Sequence, residues 1–192
     1  MSTKLFVLNL LILSCLSFIE CNKNHPAFTY ASRFRSIECK ADNYTTSVEY
    51  CYIKAVSRSV TTLNIHLKNL RPSYKPLYVH MILYYRYGNI YREVINTKRI
   101  EWCSMMEGFS AHLFLVQTIQ QIKEFADKAI HKCPYDLDIE VKNLTIDDTK
   151  GMDIFPEGTY KLTWISQNKT LHILWSFNVT VQLKSPLKES MG

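Results

Sequence analysis

From Leu63 to Lys68 apolar and polar residues alternate without a break, Leu63, Ile65 and Leu67 against Asn64, His66 and Lys68. Successive side chains of a strand point to opposite faces, so the pattern predicts a strand with one buried and one wet face, His66 lying on the wet one. The alternation returns over 136–143, with Leu137, Ile139 and Val141 set against Asp138, Glu140 and Lys142. It returns again over 171–183, where Ile173, Trp175, Phe177, Val179, Val181 and Leu183 share one face and Ser176, Asn178, Thr180 and Gln182 the other. Residues 27–40 read as a first strand with Phe34, Ile37 and Cys39 inward, and 48–70 as extended chain. The turn Pro156-Glu157-Gly158 leads into a further strand over 159–165. Residues 77–96 predict a hairpin, because Gly88-Asn89 supplies positive φ cheaply at its tip. Val79, Met81 and Leu83 lie on one face of this hairpin and Ile82 and Tyr84 on the other, so both faces call for cover.

One stretch has a different period. Leu115, Ile119, Ile122, Ala126 and Ala129 recur three or four residues apart, opposite Gln117, Gln121, Glu124 and Lys128. This is an amphipathic helix, with Ser110 suited to its N-cap and Pro134 unable to continue it. No second helix is expected, and this one is the natural cover for a hairpin strand that needs cover on both faces. Six or more strands joined mostly by hairpin-length connections predict a mainly β fold. The expected architecture is an antiparallel β-sandwich or cupped barrel with one amphipathic α-helix packed on or between the sheets.

The ends of the chain and its cysteines narrow the class. Lys4 precedes an apolar run over 5–19 that is short for a bilayer span and sits where a secretory signal belongs. The expected organisation is a signal peptide over 1–21, a single domain over 22–184 and a flexible polar tail over 185–192, in a secreted, extracellular protein. Of the six cysteines, Cys15 and Cys21 fall in the signal segment, leaving Cys39, Cys51, Cys103 and Cys133. An even number in a secreted chain implies two disulfides, with three possible connectivities. Cys39 with Cys51 and Cys103 with Cys133 is the favoured pairing, because each pair brackets a local element. Sequons at Asn43, Asn143, Asn168 and Asn178 mark expected N-glycosylation, the last on the polar face of its strand.

Charge and motifs exclude more than they assign. The formal net charge of +6 is spread along the chain, without the basic stripe that nucleic-acid binding needs. There is no Gly-x-Ser-x-Gly elbow, phosphate-cradling glycine loop or His-Glu-x-x-His helix, so no catalysis, cofactor or metal is expected. The acidic residues Asp136, Asp138 and Glu140 alternate along one strand face, as a solvated face does.

The motifs Phe34-x-x-Ile37-x-Cys39, Cys51-x-x-Lys54-x-x-x-Arg58, Cys103, Cys133-Pro134-Tyr135 and Pro156-x-Gly158-x-Tyr160 follow one another in this order. The set resembles a large insect family of secreted proteins with an uncharacterised domain, typified by the CheB chemosensory proteins. That family is in turn similar to the ML lipid-recognition domains and the ganglioside activator. The resemblance implies an ML-like sandwich that holds a lipid, fatty acid or cuticular hydrocarbon, in some members for pheromone perception, with presentation to a membrane receptor. It carries over no ligand site, because the shared positions are cysteines, turn residues and core positions. From the residues themselves, the cavity candidates are Ile65, Leu67, Met81, Leu83, Leu115, Ile119, Ile122, Trp164, Trp175 and Phe177. The same residues would equally form a dry core. In that case the chain reads as a secreted protein-binding module, with the tyrosine hairpin from Tyr84 to Tyr91 as its contact surface.

Overall fold

A computed structural model describes residues 32–58, 60–71, 76–107, 138–146 and 155–184, together with 115, 116, 119, 123, 130 and 133. The described strands are β1 (Arg33–Ala41), β2 (Thr46–Ala55), β3 (Thr61–Asn69), β4 (Tyr78–Tyr87), β5 (Ile90–Glu101), β6 (Ile139–Leu144), β7 (Gly158–Gln167) and β8 (Ile173–Leu183). They form two antiparallel sheets, a large one in the order β1-β8-β7-β4-β5 and a small one in the order β2-β3-β6. The chain is therefore mainly β, with two sheets packed around an apolar interior. The segments 1–21 and 185–192, the start of the expected first strand and Ile122 lie outside the described residues.

The expected extended run over 48–70 is in fact two strands. The chain turns over 56–60, where the backbone N–H groups of Val56 and Ser57 both donate to the Val60 carbonyl, at 2.9 and 3.1 Å. Val-Ser-Arg-Ser-Val holds neither glycine nor proline, and the turn is helped by Ser57, whose hydroxyl accepts from the Val60 N–H at 3.1 Å.

Alternation also fails wherever a strand is bulged, and each of three bulges is repaired by a side chain. The register of β1 against β8 shifts between Phe34 and Ser36, which is what allows Phe34 and Ile37, three residues apart, to face the same interior. The hydroxyl of Thr61 accepts from the Phe34 N–H at 2.8 Å. On β3, the register against β6 shifts between Leu63 and Ile65. Asn64 is buried there instead of facing water, and its carboxamide oxygen accepts from the Asn143 N–H at 3.0 Å. Between β4 and β5, the shift between His80 and Ile82 leaves Met81 without a β5 ladder partner, and the buried Thr97 hydroxyl accepts from the Met81 N–H at 2.9 Å. A backbone N–H in an apolar interior needs a partner, and these polar side chains supply one where the ladder does not.

One helical feature departs from expectation. A helix α1 (Trp102–Met106) follows β5 directly, capped by Glu101, whose carboxylate accepts from the Cys103 and Ser104 N–H groups at 3.1 and 2.6 Å. Of the long helix, Leu115, Val116 and Ile119 are described as helical. Leu115 and Ile119 belong to the cluster of Val79 and Met81, so they lie between the sheets, one of the two expected places. At the start of β8, Ile173 is exposed and Leu174 buried. The register shift between Ser166 and Gln167 displaces the expected alternation by one residue there.

Gly158 opens β7 at φ 156°, and a Cβ added to it would lie 2.5 Å from a Tyr85 ring carbon. Tyr85 is held in that place by donating its hydroxyl to the Glu157 carbonyl at 3.0 Å. Gly158→Ala is therefore expected to cost about 1–2 kcal/mol by forcing the ring aside, and urea titration of the variant against wild type measures it.

Candidate functional site

The inner face of the large sheet is laid out in cross-strand rows. Met81 on β4, Trp164 on β7, Phe177 on β8 and Cys39 on β1 form one row. Leu83, Leu162, Val179 and Ile37 form the next, and Tyr85, Tyr160, Val181 and Phe34 the one after. Trp164, Trp175 and Phe177 stack with nearly parallel rings, 5.9 to 6.2 Å between centroids, and Trp102 of α1 meets Trp164 edge-on at 5.7 Å. Opposite them, Leu63, Ile65 and Leu67 of β3 close the cluster from the small sheet. The indole N–H of Trp164 donates to the Ser166 hydroxyl at 3.0 Å, so the one polar atom of that ring is satisfied inside the apolar interior.

Of the ten cavity candidates, Ile65, Leu67, Met81, Leu115, Ile119, Trp164 and Trp175 are buried together in this cluster, with Phe177 packed against it. Leu83 goes elsewhere. It joins Tyr160 and Leu183 in a second buried cluster flanked by Tyr85, Ile95, Phe155, Leu162 and Val181. Every described member of that cluster lies on the large sheet or on the turn before β7. The inner face of the large sheet thus runs on past the small one.

The two sheets are not joined evenly. At one edge Cys39 of β1 and Cys51 of β2 are disulfide-bonded across the sheets, with Cα atoms 6.2 Å apart. Thr61 of β3 accepts from the β1 backbone at the other end of the same edge. Among the described strands, no other member of the large sheet comes as close to the small one as β1 does. Cys103 of α1 is bonded to Cys133, Cα atoms 5.5 Å apart, closing the loop that carries Leu115 and Ile119.

Of the acidic residues singled out in the sequence, Asp136 lies outside the described residues, and Asp138 and Glu140 are paired. On the outer face of the small sheet, Glu140 accepts from the Tyr50 hydroxyl at 2.8 Å and lies 2.7 Å from Lys142 Nζ. The lysine and the tyrosine together hold the Glu140 carboxyl below its usual range. Burial and this carboxylate push the Tyr50 phenol up to about 12. His66 is not simply solvated: its ring packs 5.3 Å from Tyr50, and its Nε2 lies 3.5 Å from Asp138. This is a surface network of paired charges among the described residues. Among the described residues no three His, Cys, Asp or Glu side chains converge on a possible metal position, and no helix is long and apolar enough to cross a membrane.

The four sequon asparagines are widely spread. Asn43 and Asn143 are exposed at φ 57° and 52°. Asn168 organises the β7–β8 turn by accepting from the Thr170 and His172 N–H groups at 2.9 and 3.1 Å. Asn178 is half-buried on the outer face of the large sheet, where it accepts from the Thr163 hydroxyl at 2.7 Å.

Fold and interior together define a two-sheet antiparallel β protein, stapled along one edge, with an aromatic core between its sheets. Residues 79–162 match a family described as "Protein of unknown function (DUF1091)", a segment that runs from β4 into β7. No functionally curated protein matches the sequence. Among solved structures, chicken MD-1 complexed with lipid IVa is similar at 20% identity, over 80% of this chain and 97% of that one, with a TM-score of 0.37. A Niemann-Pick type C2 protein from the Japanese carpenter ant is similar at 12% identity, over 78% and 89% of the two chains, with a TM-score of 0.28.

Proposed function

We propose that this chain is a secreted carrier that holds a lipid, fatty acid or long hydrocarbon between its two sheets and presents it at a membrane. The observation that carries this reading is the asymmetry of the sandwich. Among the described residues the sheets are joined along β1, by Cys39–Cys51, by Thr61 and by the Ser32 hydroxyl, which donates to the Ile146 carbonyl after β6 at 3.2 Å. The apolar inner face of the large sheet continues beyond the small one through Leu83, Tyr160 and Leu183. A clamshell hinged on one edge can part on the other without breaking a hydrogen-bonded ladder, because no ladder joins the two sheets among the described strands. Parting would exchange side-chain contacts for contacts with a ligand chain, at about 0.8 kcal/mol for each methylene buried.

On this reading residues 1–21 are removed as a signal peptide, 22–184 fold as the carrier domain, and 185–192 form a polar tail. The four sequons would carry glycans. The motif resemblance adds a chemosensory, pheromone-related setting with a membrane receptor as recipient, and no step of the proposal needs catalysis. The test is native mass spectrometry, with organic extraction, on protein secreted from insect cells and freed of N-glycans. Stoichiometric lipid or hydrocarbon is expected to co-purify. A bare mass, with no uptake of fatty-acid or cuticular-hydrocarbon probes, overturns the carrier reading.

A further inference from the structure

The aromatic rows of the large sheet do not stop at the interior. Phe155, Tyr160, Tyr85 and Tyr87 form a continuous ladder of rings, 5.6, 5.0 and 4.7 Å from centroid to centroid, leading from the second buried cluster out to the tip of the β4–β5 hairpin. There the apolar surface lies open: Tyr87 is 52% exposed and its cross-strand partner Ile90 64%. Two arginines collar this tip. Arg92 sits 5.5 Å over the Tyr87 ring. Arg86 is braced against the turn, donating to the Gly88 carbonyl at 2.8 Å and to Asn89 at 3.2 Å. The one acid of the hairpin tip, Glu93, lies opposite Tyr84 on the outer face. None of the four sequon asparagines is on the tip. Asn43 and Asn168 lie at the far end of the large sheet, Asn143 on the small sheet and Asn178 on the outer face.

We propose that the hairpin tip docks on an anionic lipid bilayer, and that apolar ligand enters the sandwich along the ring ladder behind it. Ile90 would sit among the acyl chains, and Tyr87 at the interface with its ring apolar-side down. Arg86 and Arg92 would meet lipid phosphates, an arrangement in which each group lies at the depth its chemistry favours. The entry route rests on the carrier reading; the docking does not.

The test uses the full secreted protein and two kinds of vesicle, phosphatidylcholine alone and an equal mixture of phosphatidylcholine with phosphatidylserine. Co-sedimentation is expected with the mixture and not with phosphatidylcholine alone, and it should fall as salt is raised. Arg92→Gln should weaken it about fivefold, and Ile90→Ser about tenfold. In a complementary measurement, Ile90→Trp should show a blue-shifted emission difference on adding anionic vesicles. Val56→Trp, placed at the equally exposed β2–β3 turn, should show none. Absence of binding, indifference to lipid charge, or a shift at Val56→Trp with none at Ile90→Trp overturns the proposal. So does loss of self-association in Ile90→Ser when no vesicle is bound, which would make the tip an interface between copies. Lipid content separates the two readings. Protein that co-purifies with lipid but ignores vesicles defeats the docking alone, and bare protein that still docks through Ile90 defeats the carrier alone.

Discussion

Trp164→Ala should destabilise the protein by about 3–5 kcal/mol, a large fraction of what holds a domain of this size folded. Trp164 is the hub of the interior, touching Trp102 edge-on and Trp175 and Phe177 face to face. It also sits in register between Met81 and Phe177, so its loss empties the centre of a row and not the margin of one. Part of the cost is polar. Ser166 has no exposed surface, and its hydroxyl would lose the indole N–H that now donates to it at 3.0 Å. Trp164→Phe keeps a ring and removes the donor, so it should cost less, about 1–3 kcal/mol. Chemical denaturation of the two variants beside wild type checks both values. Equal losses in the two would mean that the hydrogen bond, and not ring packing, dominates at this site.

Asp42→Asn should lower stability by about 2 kcal/mol at neutral pH, with the difference from wild type vanishing as pH falls. Asp42 sits where the chain passes from the large sheet to the small one. Burial of its side chain, 5% exposed, works to raise its pKa. Donors outweigh burial: the Thr45 hydroxyl at 2.6 Å and the N–H groups of Thr45, Thr46 and Tyr44 at 2.9 to 3.1 Å hold the carboxyl at about 2, against an ordinary 3.8. Because the folded value lies below the unfolded one, the unfolded chain binds the proton more readily. The stabilisation is complete above about pH 4 and is lost as pH falls towards 2. Denaturation curves for Asp42→Asn and wild type across that window isolate this group from the other carboxylates. A difference that stays constant with pH would show that the turn is held by its neutral hydrogen bonds alone.

Strand character was legible wherever alternation ran unbroken. Leu63, Ile65 and Leu67 are buried as their spacing requires, and the Gly88-Asn89 tip lies where two-residue turn chemistry places it. The turn at 56–60 was not legible, since serine is only a weak turn signal and no glycine or proline marks the place; the chain reverses there because β2 and β3 pair, with the Ser57 hydroxyl accepting from the Val60 N–H. Nor was α1, because five residues are too few for a helical period to show and Glu101 caps it with a side chain that caps rarely use. Of the candidate site, the aromatic interior could be read residue by residue. Its division could not: Leu83 has the same apolar character as Met81 two residues away, yet the two belong to different clusters.

By itself the sequence determined which side chains prefer the interior and which segments are extended, because burial of alternating apolar residues is a local demand that each strand makes on its own. It also favoured, among three possible connectivities, two local cysteine pairs, whose short loops need little from the rest of the chain, and the structure holds that pairing. Only the tertiary structure decided that Asn64 and Thr97 go inside, because their burial repairs bulges that exist only once two strands are in register. It alone decided that Cys39–Cys51 staples one sheet to the other, since β1 and β2 are neighbours in sequence but pair with different partners. Long-range hydrogen bonding chooses those partners, and the choice leaves the large sheet longer than its cover, with Tyr87 and Ile90 in the open at its end.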